Sequence, residues 1–389
     1  MYSLLLAIIY IAFISLGLPD PLLGAAWPVM YQELGASISW AGMLSMLIAG
    51  GTIVSSLLSD RLNKRFGAGL VTAISVAMTA AALLGFSFSG SFWQLCLWAL
   101  PYGLGAGAVD AALNNYVALH YSSRHMNWLH GFWGVGTSIS PFIMGFCLSH
   151  GFGWNTGYGS VGVFQVLLCA VLFCSLPLWR KPNDTPEEAA SGQVYGLKDV
   201  IKLPGVKQIL LAFFCYCAVE STAGLWASTY LAEYRGVDSE TAARFASLFY
   251  LGITGGRFLS GFVADRLGDK TLVRIGVIGM LVGGLCVALP THNPLPALMG
   301  LVILGLGSAP IYPSFIHQTP SNFGREYSQA IVGIQMASAY TGSTLMPPLC
   351  GVLLEHISLG LYPLCMLLLT VVLLTASETL NRIVKKLVK

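Results

Sequence analysis

The chain has 389 residues, of which 55% are hydrophobic and only 10% charged, with a net charge of +3. Soluble domains carry roughly a quarter charged residues, so a soluble globular protein is excluded and an integral membrane protein is the class that remains. The small positive balance reports where basic residues fall around apolar spans and gives no reason to invoke nucleic acid.

Apolar stretches long enough to cross a hydrocarbon core, about 20 residues each, follow one another along the chain. With Pro, Gly and charge clusters marking their ends, twelve are predicted, at 4–32, 38–59, 68–88, 92–119, 128–150, 158–178, 207–232, 241–263, 272–290, 295–319, 327–354 and 357–379. The over-length ones contain Gly or Pro, which implies tilt or kinks rather than extra spans. The first reads as a full span with a broken middle, so no cleavable signal peptide is expected.

The one long polar stretch, 179–206, contains RKPNDTPEEAASGQ and divides six spans from six. The expected organisation is a six-helix half over 1–178, a cytoplasmic linker over 179–206 with a short interfacial helix around Gly196–Leu203, and a second six-helix half over 207–389. With the N-terminus inside, seventeen of the twenty basic residues fall in inner loops and the tail, Arg235 and Arg244 lie outside, and Arg257 lies within a span. That asymmetry predicts both termini in the cytoplasm, and a multi-pass protein of the plasma membrane. The nine cysteines all lie within apolar spans at irregular spacing, a pattern of packing residues rather than of a disulfide framework or metal site.

The two halves repeat at a nearly constant offset. LLSDRLNKRFG at 57–67 answers FVADRLGDK at 262–270, which sets Asp60 and Arg61 opposite Asp265 and Arg266. YGLGAGAVD at 102–110 answers LGLGSAPIY at 304–312, pairing Gly103 with Gly305; GVGTSISPFIMG answers AYTGSTLMPPLCG, pairing Pro141 with Pro347; PDPLLGAAW answers ESTAGLW, pairing Asp20 with Glu220. Duplicated six-span halves are a design of secondary transporters, in which the solute binds near the midplane and the halves rock around it.

GFVADRLGDK at 261–270 resembles the signature loop of the major facilitator superfamily, a Gly-x-x-x-Asp-Arg-x-Gly pattern between the second and third spans and again between the eighth and ninth. The first copy is degenerate, with Ser56 and Asn63 in the glycine places. The resemblance implies an all-α fold of twelve transmembrane helices in two pseudo-symmetric six-helix bundles. Within the superfamily, LPYGLGAGAVDAALNNYVALHY followed by MNWLHGFWGVGTSISP is similar to the fucose permease branch, and so is LPDPLLG around Asp20, where that branch carries its coupling carboxylate. Glu220, His130 and Trp133 stand where the branch has amides, so its substrate is not carried over with the motif.

Three carboxylates, Asp20, Asp110 and Glu220, sit inside apolar spans, where a charge costs about 2.5–3.5 kcal/mol on insertion scales and usually marks a transport pathway. Prolines flank Asp20 and break the helix; a dry, irregular place there disfavours the charged form, so the carboxylate can take and release a proton. Glu220 is expected as a second titrating group or a solute ligand. Asp110 and Asn114, four apart, share a helix face and suit the hydroxyls of a sugar, with Tyr116 and tryptophans such as Trp133 and Trp226 for its apolar face. Asn115, His130, Tyr312 and Gln335 complete the candidate solute contacts. Asp60, Arg61, Asp265 and Arg266 form the expected cytoplasmic gate, an Asp accepting from a neighbouring helix N-terminus and latching the inner ends of the halves together. Arg257, eight residues before Asp265, is expected in the same inner network.

No Walker loop is present to cradle phosphate and no nucleophile–base arrangement appears, so neither an enzyme nor a cofactor is expected. The predicted function is proton-coupled uptake of a sugar or similar small neutral solute by alternating access, by a monomer in membrane lipid. Proton-antiport export of amphipathic compounds, sodium-coupled sugar symport and a non-transporting sensor of transporter descent are the competing readings.

Overall fold

A computed structural model describes residues 2–37, 40–179, 195–291 and 293–387. Among the described residues the regular structure is helical throughout, as hydrocarbon requires of a spanning chain that must satisfy its own backbone.

The first expected span is two helices, α1 (Tyr2–Gly17) and α2 (Leu22–Glu33), parted at Leu18–Pro21, where Pro19 and Pro21 withhold backbone donors. The second and third form one run, α3 (Trp40–Ser87), interrupted at Gly67 with φ 77° and ψ 153°. Then come α4 (Phe92–His120), α5 (Ser123–Ser149) and α6 (Gly153–Ser175). The short α7 (Leu197–Ile201) falls where an interfacial helix is expected. In the second half, α8 (Val206–Thr229), α9 (Ser239–Leu267) and α10 (Asp269–Ala288) are the seventh to ninth spans. The tenth is divided into α11 (Leu295–Ser308) and α12 (Ile311–His317); the short α13 (Thr319–Phe323), α14 (Arg325–His356) and α15 (Tyr362–Leu387) follow.

Nine helical stretches among the described residues are long and apolar enough to cross a membrane. The 48-residue α3 is one of them and covers two of the expected spans. The eighth and eleventh expected spans are present as α9 and α14 but are more polar: α9 carries Arg244, Arg257, Asp265 and Arg266, and α14 is rich in Ser, Thr and Gln. Every expected span thus has its helix. Large apolar side chains such as Phe142, Leu167, Leu259 and Leu368 lie on the outside, the arrangement for a protein whose solvent is lipid.

The chain forms two compact units. Unit 1 is drawn from Met1–Tyr116, Phe132–Tyr195 and Glu326–Ala337, and unit 2 from Val117–Gly131, Gly196–Arg325 and Ser338–Lys389. Unit 1 has a core of Leu22, Met30, Phe86, Phe92, Trp154 and Tyr158. Without a hydrophobic drive between helices in lipid, close backbone approach at small residues supplies the packing, and the repeat is visible in how that is done. In unit 1 a Cβ on Gly103 would stand 2.2 Å from the Ile48 carbonyl oxygen, and in unit 2 a Cβ on Gly305 would stand 2.3 Å from that of Phe249. A Cβ on Gly136 would meet Ile14 O at 2.2 Å, and one on Gly342 would meet Phe214 O at 2.5 Å.

The signature loop shows the repeat and its departure. In the second copy α9 stops at Gly268, with φ 75° and ψ 154°, a region that only glycine enters readily. Gly67 has nearly the same conformation but lies seven residues after Asp60, whereas Gly268 lies three after Asp265. With Asn63 in the glycine place, its Nδ2 donating to Ser59 O at 2.9 Å, the first copy continues for one more helical turn.

Candidate functional site

In unit 1 the break between α1 and α2 presents Asp20. Close packing at Gly17, where a Cβ would lie 2.3 Å from Trp133 O, and at Gly136 brings α5 against the end of α1. That contact delivers the Trp133 indole, whose Nε1 donates to Asp20 Oδ2 at 3.2 Å. From α4 the Tyr102 hydroxyl donates to Oδ1 at 3.5 Å. The Asp20 side chain reaches the surface at the break while packed helices surround it, and its two hydrogen-bond donors are both neutral. Among the described residues it makes no ion pair.

Asp110 is buried on α4 within electrostatic range of Asp20. Its Oδ1 accepts from Asn114 Nδ2 at 2.7 Å, and that amide reaches the Asp110 carbonyl at 3.0 Å. The shared helix face is therefore realised with the two side chains bonded to each other. Asn115 and Tyr116 point elsewhere: Asn115 Oδ1 accepts from Ser328 of α14, and the Tyr116 ring lies 4.9 Å from that of Trp179. Gln335 is fully buried on α14.

A residue absent from the sequence reading stands behind Tyr102. Gln165 of α6 accepts from Thr79 Oγ1 at 2.7 Å and donates to Ser15 O at 2.9 Å. Together with Tyr102 these groups line a small cavity with room for about one water. The signal was available as a lone amide inside the apolar run VFQVLL.

In unit 2 Glu220 meets Arg257, Oε2 to Nη2 at 3.6 Å, with the Arg257 side chain 3% exposed. Arg257 is thus placed against α8, and the expected inner link to Asp265 is corrected: Arg257 stands two helical turns from that end of α9. His130 is buried with its ring 4.7 Å from Tyr312, and Arg257 is within electrostatic range of it. Tyr312 also packs on Phe213 at 5.1 Å. Trp226 lies apart, donating to Pro347 O at 3.0 Å and seated over Gly351.

The two copies of the signature loop make different bonds. Asp60, buried in unit 1, pairs with Lys64 one turn along its own helix at 3.1 Å, and Lys64 sits over the Tyr195 ring. Asp265, in unit 2, takes the backbone N–H of Arg124 at 3.2 Å and its Nε at 3.2 Å, an acidic side chain at the N-terminus of α5. Arg61 and Arg266 are exposed. Beside Asp265, Asp269, His317 and Ser123 form a cluster that the sequence reading did not single out. No group of three metal-ligating side chains occurs among the described residues.

A model of the Major Facilitator Superfamily matches residues 5–347. The zebrafish Danio rerio sodium-dependent glucose transporter 1 is 26% identical over 397 residues, covering 92% of this chain and 65% of its own. Bypass of stop codon protein 6 of Saccharomyces cerevisiae is 25% identical over 281 residues, covering 66% of this chain and 56% of its own. The chain thus spans less than two thirds of the length of these two relatives. In fold it is similar to the crystal structure of FucP, a transporter of that superfamily, in its outward conformation, with a TM-score of 0.79, 15% identity, and coverage of 96% and 97% of the two chains. The match over nearly the whole length identifies this chain as a member of the Major Facilitator Superfamily, with a multi-pass membrane fold.

Proposed function

We propose that the protein takes up a sugar, or a small neutral solute with similar hydroxyls, together with a proton carried by Asp20. The carrying observation is the contrast between two carboxylates in matching places of the repeat. Asp20 is held by an indole N–H and a phenol, both neutral, so it can gain a proton without stranding a counter-charge. Glu220 is matched to a buried Arg257, and neutralising one member of such a pair leaves the other uncompensated, typically at 3–5 kcal/mol. We therefore assign proton coupling to Asp20 and a solute-binding role to Glu220 with Arg257.

Asp110 with Asn114 and Trp133 in unit 1, and separately His130 with Tyr312 in unit 2, are assigned roles toward the solute, whose hydroxyls need acceptors, donors and a flat apolar face. Asn115, Tyr116, Trp226 and Gln335, bound within the helices, are assigned to holding that framework. The basic residues support a plasma-membrane protein with cytoplasmic termini. The name of the Danio rerio relative supports a hexose as solute, and it also favours a second reading, in which sodium replaces the proton at the Asp20 break.

The test is uptake by reconstituted vesicles offered hexoses, deoxyhexoses and disaccharides, with external pH recorded. Sugar-dependent alkalinisation outside, lost in Asp20→Asn, is the expected result. Uptake that follows a sodium gradient and is indifferent to pH selects the second reading, and accumulation unchanged in Asp20→Asn overturns the assignment of Asp20.

A further inference from the structure

Inside unit 2, His317 stands between two hydrogen-bond acceptors. It is the last residue of α12, and its Nδ1 lies 2.7 Å from Asp269 Oδ2 at the start of α10. Its Nε2 lies 3.1 Å from the carbonyl oxygen of Tyr121, one residue beyond α4. The second Asp269 oxygen accepts from Ser123 Oγ, the first residue of α5.

Counting protons decides what this arrangement holds. A neutral imidazole carries one N–H, so in either tautomer one ring nitrogen turns a lone pair toward an oxygen. With one more proton every contact is satisfied: either the ring is an imidazolium donating on both sides, or Asp269 is protonated and donates to Nδ1 while Nε2–H donates to Tyr121. The requirement for that proton is the same in both cases. Tyr121 O belongs to the C-terminal end of α4, where the helix dipole favours positive charge.

We propose that Asp269 and His317 form a proton-binding site, separate from Asp20, whose bound proton fastens the α4–α5 corner to α10 and α12. The corner is fastened by three further contacts: Arg124 to Asp265, Trp128 Nε1 to Phe258 O at 3.3 Å, and Arg325 Nη2 to Leu119 O at 3.3 Å. The charged and titratable groups around the site are Asp269 from α10, Asp265 from α9, Arg124 and His125 from α5, and Arg325 from α14. Asp265 is engaged by Arg124, which leaves Asp269 as the carboxylate that faces His317 directly. The sign follows directly: the fastening is present with the proton bound and is lost as pH rises. On the transporter reading this end opens to release solute, and its opening is therefore inhibited when the adjoining compartment is acid.

Hydrogen exchange on the purified full chain tests this without any solute, so its failure leaves the assignment of Asp20 untouched. Arg124 N–H donates to Asp265 within the same corner, and peptides covering 121–128 report on it. Corrected for the chemical rate, their protection is expected to fall about tenfold or more between about pH 5 and about pH 8, the range in which imidazole titrates. In His317→Gln it should be low at both values, while peptides from the interior of α8 stay protected. Protection at 121–128 that is constant with pH in the unaltered chain, or equally pH-dependent in His317→Gln, overturns the proposal. Should α8 also lose protection in His317→Gln, that variant has unfolded, and the profile of the unaltered chain against α8 decides alone.

Discussion

The indole of Trp133 donates to Asp20 while its own carbonyl is pressed against Gly17, the last residue of α1. One residue thus fixes both the position of the fifth span and the polar environment of the carboxylate. A hydrogen bond to a charged acceptor contributes about 1.5–3 kcal/mol. Trp133→Phe, which keeps a ring and removes the N–H, is expected to reduce proton-driven accumulation about tenfold or more. Because the N–H acts through Asp20, adding Trp133→Phe to Asp20→Asn should cost little further; additive losses in that double-variant cycle would show that Trp133 acts on its own.

Arg257 and Glu220 give a second cycle, read as stability. Glu220→Leu leaves a guanidinium at 3% exposure beside an apolar side chain, and Arg257→Leu leaves the carboxylate. Each single change is expected to lower the unfolding midpoint in detergent, at about 3–5 kcal/mol. The double change to Leu should recover most of the loss, because no buried charge then remains. A double variant as unstable as the sum of the singles would mean that the pair does not compensate in the folded protein.

Much of the fold was legible because a bilayer dictates span length and because the loop motif occurs twice. Asp20 was legible for a local reason, since prolines on either side of an acid in an apolar run can only mean a broken helix. Arg257 was misplaced because eight residues along a helix is about 12 Å, too far for direct pairing with Asp265, and its true partner comes from α8, distant in sequence. The same holds for His317 and Asp269, which only the meeting of α10, α12 and the α4–α5 corner brings together. The shift of the helix stop from Asn63 to Gly67 was hidden by motif alignment, which assumes that the break keeps its register.

The glycine contacts that repeat between the units should be among the least tolerant positions. Gly305→Ala places a methyl 2.3 Å from Phe249 O, and backbone cannot retreat as a side-chain tip can. Overpacking of this kind costs about 1–3 kcal/mol, and Gly103→Ala should behave alike. Gly24→Ala is the control: its Cβ would meet nothing within 4 Å, and alanine favours helix by about 1 kcal/mol over glycine. Thermal unfolding of the three variants should show two losses and one gain or no change.

Asp60 and Asp265 hold the same place in the motif, yet neutralising them should have unlike effects. Asp60 pairs with Lys64 along a single helix, and an (i, i+4) pair contributes about 0.3–0.5 kcal/mol. Asp265 joins α9 to the first turn of α5 through the backbone and side chain of Arg124. That pair is partly exposed, at 43% and 34%, so screening reduces its Coulomb energy, but the backbone N–H that it caps has no intrahelical partner. Loss of an N-terminal cap costs about 1 kcal/mol, equivalent to roughly a fivefold faster exchange of the Arg124 amide. Asp265→Asn is therefore expected to lower protection of the first turn of α5 by about that factor, with Asp60→Asn leaving it unchanged. Equal effects from the two variants would mean that the difference between an intrahelical pair and a bond between helices has no energetic weight here.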